Sequence, residues 1–192
     1  MVIFVSDIYG VTPWLLTLVS ELGLESRQFV IADPYLGQSR SFINEQQAYQ
    51  AFHSVGGIEQ YIARLETIFN KLVKSHKNLL IIGFSAGAAA SYKAANCLSI
   101  DTKVSCVLFY PGQIRHYLED KCLHPTTVVF PQSEPHFELT PVADSLAQQS
   151  QVNVIKTPFQ HGFMNRLSLG YDAKGYRQYT AYLANILQKH SI

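Results

Sequence analysis

Short, uninterrupted runs of apolar residues alternate along this chain with longer stretches in which apolar positions recur every three or four residues. Six runs, Val2–Ser6, Phe29–Ala32, Leu79–Phe84, Val104–Tyr110, Thr127–Phe130 and Val152–Lys156, are continuous rather than alternating. That is the mark of strands buried on both faces of a parallel sheet. The stretches between them have helical spacing. Thr12-Pro13 reads as a cap followed by proline at the first helical position, opening a helix to about Leu22. From Ile58 to about Lys74, the residues Ile58, Ile62, Leu65, Ile68, Phe69 and Leu72 share one face. Ala86 to Asn96 is a helix of small residues. Thr140-Pro141 repeats the cap-plus-proline signal ahead of a helix to about Gln149, and Tyr176 to Gln188 forms the last helix. The polar stretch from Gln38 to Val55 reads as a loop with a short helix. Strand and helix alternate throughout, which predicts a three-layer α/β architecture with a mostly parallel six-stranded sheet and helices on both faces.

Composition narrows the picture without changing it. The 192 residues are 47% apolar and 15% charged, as expected of one compact domain spanning residues 1–192. A net charge of +1, with lysines and arginines scattered, gives no basic surface for nucleic acid. No apolar stretch is long enough to cross a bilayer, and Met1 to Ser6 is too short for a signal peptide. Cys97, Cys106 and Cys122 have neither metal-like spacing nor an even count. A buried thiol is the expectation for Cys106, and a reducing, cytoplasmic setting follows.

Chemistry enters at Gly83-Phe84-Ser85-Ala86-Gly87, a G-x-S-x-G pattern. It directly follows the run Leu79 to Ile82 and directly opens the small-residue helix, the strand-turn-helix context in which such a serine is a nucleophile. Side chains at Gly83 or Gly87 would clash as strand and helix close together. The Ala86 N–H then stands at a helix start, where it can bind a developing oxyanion. A phosphate-binding reading would need G-x-G-x-x-G or G-x-x-x-x-G-K-[ST], and neither is present at this turn.

His161 follows the sixth strand and so falls at the carboxyl edge of the sheet with Ser85, where open α/β sheets build their sites. His53, His76, His124 and His190 fall in helices or at the opposite edge. A triad in the order serine, acid, histidine puts the acid between them. Glu134, four residues beyond the end of the fifth strand at Phe130, is the candidate; Glu138 and Asp144 compete. The first strand ends in Asp7-Ile8-Tyr9-Gly10-Val11. If that strand lies beside the third, the Ile8 N–H supplies a second oxyanion donor.

Four segments in this order, Asp7-Ile8-Tyr9-Gly10-Val11, Asp33-Pro34-Tyr35-Leu36-Gly37, the Ser85 turn and His161-Gly162-Phe163, resemble the dienelactone hydrolases of the α/β-hydrolase superfamily. The tail, with Asn165-Arg166 and Tyr171-Asp172, is also similar to bacterial relatives. The resemblance implies a minimal α/β-hydrolase fold, without the N-terminal hairpin that many relatives carry. Three features depart from the family. The name-giving enzymes use cysteine where Ser85 stands, so lactone specificity is not implied. Their acid is commonly aspartate where Glu134 stands. Asp7 matches an acidic residue that meets the thiol in the cysteine enzymes; beside a serine, a strand-end hydrogen bond serves it equally well.

The reading is therefore an ester hydrolase with Ser85 as nucleophile, His161 as base, Glu134 as acid and Ile8 and Ala86 as oxyanion donors. It needs no cofactor and no metal. About fifteen residues separate the fourth and fifth strands, leaving no room for a lid, so small or medium soluble esters are expected, acted on by a monomer or homodimer. Asp7, Tyr9, Tyr35, Phe84, Phe163, Met164 and Arg166 are candidate substrate contacts. A thioesterase or small peptidase with the same triad, and a non-catalytic binding protein of the same fold, stay open.

Overall fold

A computed structural model describes residues 1–190 of the chain. Its six strands are β1 (Val2–Val5), β2 (Phe29–Ala32), β3 (Asn78–Phe84), β4 (Lys103–Phe109), β5 (Thr126–Phe130) and β6 (Val152–Lys156). They form one parallel sheet in the order β2-β1-β3-β4-β5-β6. The expected three-layer architecture is what the chain adopts, and β1 lies beside β3 with Val5 opposite Gly83.

Alternate residues of each strand feed two cores. Ile3, Val5, Ile81, Cys106, Leu108 and Val128 face one side, packed under α2 (Glu45–Ser54), α3 (Gly57–Leu72), α4 (Ala86–Ala95) and α5 (Leu139–Ala147). Val2, Phe4, Leu80, Ile82, Phe84, Phe109 and Val129 face the other, under α1 (Pro13–Glu21) and α6 (Ala173–Lys189). The inner strands β1, β3, β4 and β5 are largely buried on both faces because helices cover both, which is why their sequences run apolar without alternation. The edge strand β6, by contrast, exposes Asn153 and Lys156.

The differences from the sequence pattern lie at element ends. β4 stops at Phe109, one residue early, because Tyr110 turns to φ 40°. α5 starts at Leu139 with Glu138 as its cap, so Thr140 and Pro141 fall inside its first turn. Proline is tolerated there because first-turn N–H groups have no helical partner. α6 starts three residues before Tyr176, where the Asp172 carboxylate accepts from the N–H groups of Lys174 and Gly175. The ambiguous polar stretch contains α2, with the Asn44 side chain accepting from Gln47 N–H at its start.

Cys106 and Cys122 are buried and Cys97 is exposed, all as free thiols. His124, before β5, is buried with Nε2 unpartnered. Burial pushes its pKa below the usual 6.5, offset in part by the Leu98 and Ala95 carbonyls. The folded protein therefore takes up this proton only at lower pH than the unfolded chain does. The His124 contribution to stability is fully present above about pH 6.5 and falls as pH drops through that value. In a thermal melting series from pH 4.5 to 8, His124→Leu should flatten the acid limb of the wild-type curve.

Candidate active site

Ser85 stands between β3 and α4 at φ 49°, ψ −117°, a conformation that costs a side-chain-bearing residue of order 1–3 kcal/mol. Its surroundings impose it. The Ser85 N–H donates to the Phe109 carbonyl at 2.9 Å, continuing the β3–β4 ladder through the turn. A Cβ on Gly83 would come within 2.7 Å of the Ala88 Cα, and one on Gly87 would run into the Ser6 carbonyl. Only glycine at both places lets α4 begin this close to β1 and β3.

The loop after β6 delivers His161. Thr157 Oγ1 donates to the Phe130 carbonyl at 2.9 Å, and the Gln132 N–H donates to the Phe159 carbonyl at 2.6 Å. The post-β5 and post-β6 loops are thereby tied together, which sets Glu134 opposite His161. His161 Nε2 lies 2.9 Å from Ser85 Oγ, and its Nδ1 lies 2.7 Å from Glu134 Oε1. The Glu134 side chain is only 7% exposed, so this is a shielded carboxylate pointing at a ring nitrogen. With Nδ1–H donating to Glu134, Nε2 presents a lone pair to the Ser85 hydroxyl. Glu138 stands apart as the α5 cap, without a side-chain hydrogen bond there.

Ile8 and Ala86 line the same cleft as Ser85, Glu134 and His161. The N–H groups of Ile8 and Ala86 have no protein partner among the described residues. The cleft holds about 440 Å³. Among the described residues no group of three or more His, Cys, Asp or Glu side chains is placed to hold a metal ion, and no helix is long and apolar enough to cross a membrane.

No family model matches the chain. The Bacillus subtilis (strain 168) protein YczH, itself uncharacterised, is 25% identical over 171 residues, covering 86% of this chain and 81% of the relative. Among solved structures, a dienelactone hydrolase-like promiscuous phosphotriesterase from metagenomic libraries aligns with a TM-score of 0.67 at 14% identity. The match covers 98% of this chain and 85% of that one. The dienelactone hydrolase from Anabaena variabilis aligns with a TM-score of 0.63 at 13% identity and the same coverages. Est1E from Butyrivibrio proteoclasticus aligns with a TM-score of 0.63 at 10% identity, covering 98% and 86%. The chain has the α/β-hydrolase fold.

Within this fold, most of the expected substrate contacts lie elsewhere. Tyr9, Tyr35 and Phe163 are buried in the packed interior, Phe163 against Phe109, Tyr110, Phe159 and Tyr179. Phe84 points to the α1/α6 side because strand neighbours alternate faces. With Asp7 and Met164 it lines a separate cavity of about 20 Å³, room for about one water. Arg166 stacks 4.8 Å over the Trp14 ring, beside Tyr171 and Tyr176, away from the cleft. The walls come instead from segments not singled out in the sequence: Glu45, Gln46 and Tyr49 of α2, Gln113 and Arg115 after β4, and His136 and Phe137 after Glu134. The post-β4 group was within reach, since it follows a strand at the same carboxyl edge as Ser85. The α2 group had only the Asn44-to-Gln47 capping signal.

Asp7 forms strand-end hydrogen bonds. Its Oδ1 accepts from Tyr9 N–H at 2.9 Å and its Oδ2 from the Asn165 amide at 2.6 Å. Burial raises its pKa to about 6, against the lowering effect of those two donors and of His161. The unfolded carboxyl ionises near 3.8, so between about pH 4 and 6 the folded state holds more protons. Stability contributed here is therefore lost as pH rises across that window. Asp7→Asn should remove this slope, read as the difference between wild-type and variant melting temperatures at pH 4 and pH 7.

Proposed function

We propose that this protein is a serine hydrolase that cleaves esters of small or medium soluble substrates through an acyl-enzyme. The observation that carries the reading is the unbroken chain from Ser85 Oγ through His161 to Glu134, at 2.9 and 2.7 Å, with the serine held at positive φ. Ser85 Oγ attacks the ester carbonyl as His161 Nε2 takes its proton, and Glu134 holds the ring tautomer and stabilises the imidazolium. The Ile8 and Ala86 N–H groups bind the tetrahedral oxyanion, worth about 3 kcal/mol per donor in comparable sites. His161 protonates the leaving alcohol, and water then attacks the acyl-enzyme with the same groups. A cytoplasmic enzyme, active as a monomer or homodimer, completes the proposal.

The cleft wall suggests what else the substrate carries. Arg115 donates to the Gly112 carbonyl at 2.6 Å and lies 4.8 Å over the Phe137 ring. Among the described residues no carboxylate pairs with it. A guanidinium held by one hydrogen bond and an aromatic face keeps its other donors for an anionic part of the ester.

A fluorophosphonate probe should label the wild type at Ser85 and leave Ser85→Ala unlabelled, with kcat on an activated acetate ester down by about four orders of magnitude or more. Glu134→Gln should lower kcat by roughly 10²–10⁴ through the wrong ring tautomer, while Glu138→Gln leaves it near wild type. Persistent activity in Ser85→Ala would require another nucleophile. Arg115→Gln should raise KM about tenfold for a carboxylate-bearing ester and leave a neutral ester unchanged. Equal effects on both esters would remove the anion from the proposal.

A further inference from the structure

Two sequence segments, Asp7-Ile8-Tyr9-Gly10 and Asp33-Pro34-Tyr35-Leu36-Gly37, have no place in the triad, yet the fold brings them together beside Ser85. Four backbone groups flank the Ile8 Cα, and three of them are occupied. The Asp7 carbonyl accepts from the Gly10 N–H and from Ser6 Oγ, both at 3.1 Å. The Tyr9 N–H donates to Asp7 Oδ1 at 2.9 Å. The Ile8 carbonyl accepts from the Tyr35 hydroxyl at 2.6 Å. The fourth group, the Ile8 N–H, has no protein partner among the described residues and belongs to a residue lining the cleft. In a trans peptide the N–H points opposite the C=O. A carbonyl turned into the loop by Gly10 and Ser6 therefore turns the Ile8 N–H out of it.

We infer that Tyr35 is a positioning residue for the oxyanion donor: its hydroxyl, by fixing the Ile8–Tyr9 peptide, holds the Ile8 N–H aimed at the position of the reacting carbonyl oxygen. The inference rests on the proposed hydrolytic function and names a residue that acts there without touching substrate. Everything around the phenol serves to hold it. Asp33 Oδ1 accepts from the Tyr35 N–H at 2.7 Å, and its Oδ2 from the Gly37 N–H at 2.8 Å, locking the turn that carries the ring. Arg64 donates to the Pro34 carbonyl, and the Arg40 guanidinium lies 4.7 Å over the ring. Gly10 is glycine for the same reason, because a Cβ there would lie 2.8 Å from Tyr35 Cδ2. The ring is 3% exposed, so water does not compete for the Ile8 carbonyl. The hydroxyl also approaches the Ala48 carbonyl at 3.4 Å, linking the loop to α2 and the cleft wall.

Tyr35→Phe keeps the ring and removes only the donor. A misaimed oxyanion donor weakens the transition state and leaves the ground state alone, so kcat should fall about tenfold or more with KM within about twofold. The affinity of a boronic acid that forms a tetrahedral adduct on Ser85 should fall by the same factor. A merely structural role predicts a lower melting temperature with kcat and boronate affinity unchanged in the folded variant, and that result overturns the inference. A measurement on the wild type needs neither activity nor a folded variant. By amide hydrogen exchange, Ile8 should exchange fast while Tyr9 and Gly10 are protected to the level of Tyr35. Tyr9 and Gly10 exchanging as fast as Ile8 overturns it as well. Fluorophosphonate labelling of the wild type separates the two readings, since an unlabelled Ser85 removes the hydrolase proposal whatever the exchange pattern is.

Discussion

The first turn of α4 sits against the carboxyl ends of β1 and β3 at a separation that leaves no room for a Cβ at Gly83 or Gly87. From this close approach the rest of the site follows. It forces Ser85 to positive φ, which lifts its side chain off the sheet edge and leaves the Ala86 N–H at the start of a helix, where Ala86 lines the cleft. It also requires β1 to neighbour β3, and that adjacency sets the loop after β1 beside the serine. The strain at Ser85 persists because the bond from its N–H to Phe109 and the packing of small α4 residues hold it from both sides.

Around that fixed point the two sides of the sheet do different work. The α1/α6 side is packed with aromatic rings, Phe84 stacked on Phe109 and Phe109 meeting Phe163 and Tyr179 edge-on. It gives the turn and the His161 loop a rigid floor, and Tyr110 sets its ring 5.0 Å from the imidazole. The other side opens between α2 and the loops after β4 and β5, where polar and charged side chains line a cleft. Packed support behind and an open cleft in front leave the Ser85–His161–Glu134 chain held in place yet reachable from the cleft.

The likeness to α/β-hydrolase structures persists at 10–14% identity because the fold asks little of most positions. A parallel sheet covered on both faces needs apolar residues of suitable volume, and many sets satisfy it. Specific residues are needed only where backbone conformation or hydrogen bonding leaves no choice. Here those places are Gly83 and Gly87 at the turn, Gly10 against the Tyr35 ring, and the Asp33 carboxylate that closes its own turn.

The sequence by itself determined the layered architecture and the place of the Ser85 turn, because continuous apolar runs, helical spacing and glycine at tight approaches are local consequences of backbone geometry and burial. That β1 neighbours β3 came from the tertiary structure. His161 and Glu134 were legible as residues just past strand ends, since parallel strands all present their carboxyl ends at one edge. Side-chain direction was not legible. Whether Tyr35 or Phe163 faces a cleft or a core depends on which neighbour fills the space beside it, and those neighbours come from distant parts of the chain. The same holds for Arg166, drawn to three aromatic faces in α1, α6 and the loop before it. Tertiary structure alone decided that α2 walls the cleft, and that Tyr35 meets Ile8 across 27 positions of sequence. A hydrogen bond of that separation leaves no periodic trace, because it is fixed by where two loops end in space and not by the spacing of residues along either one.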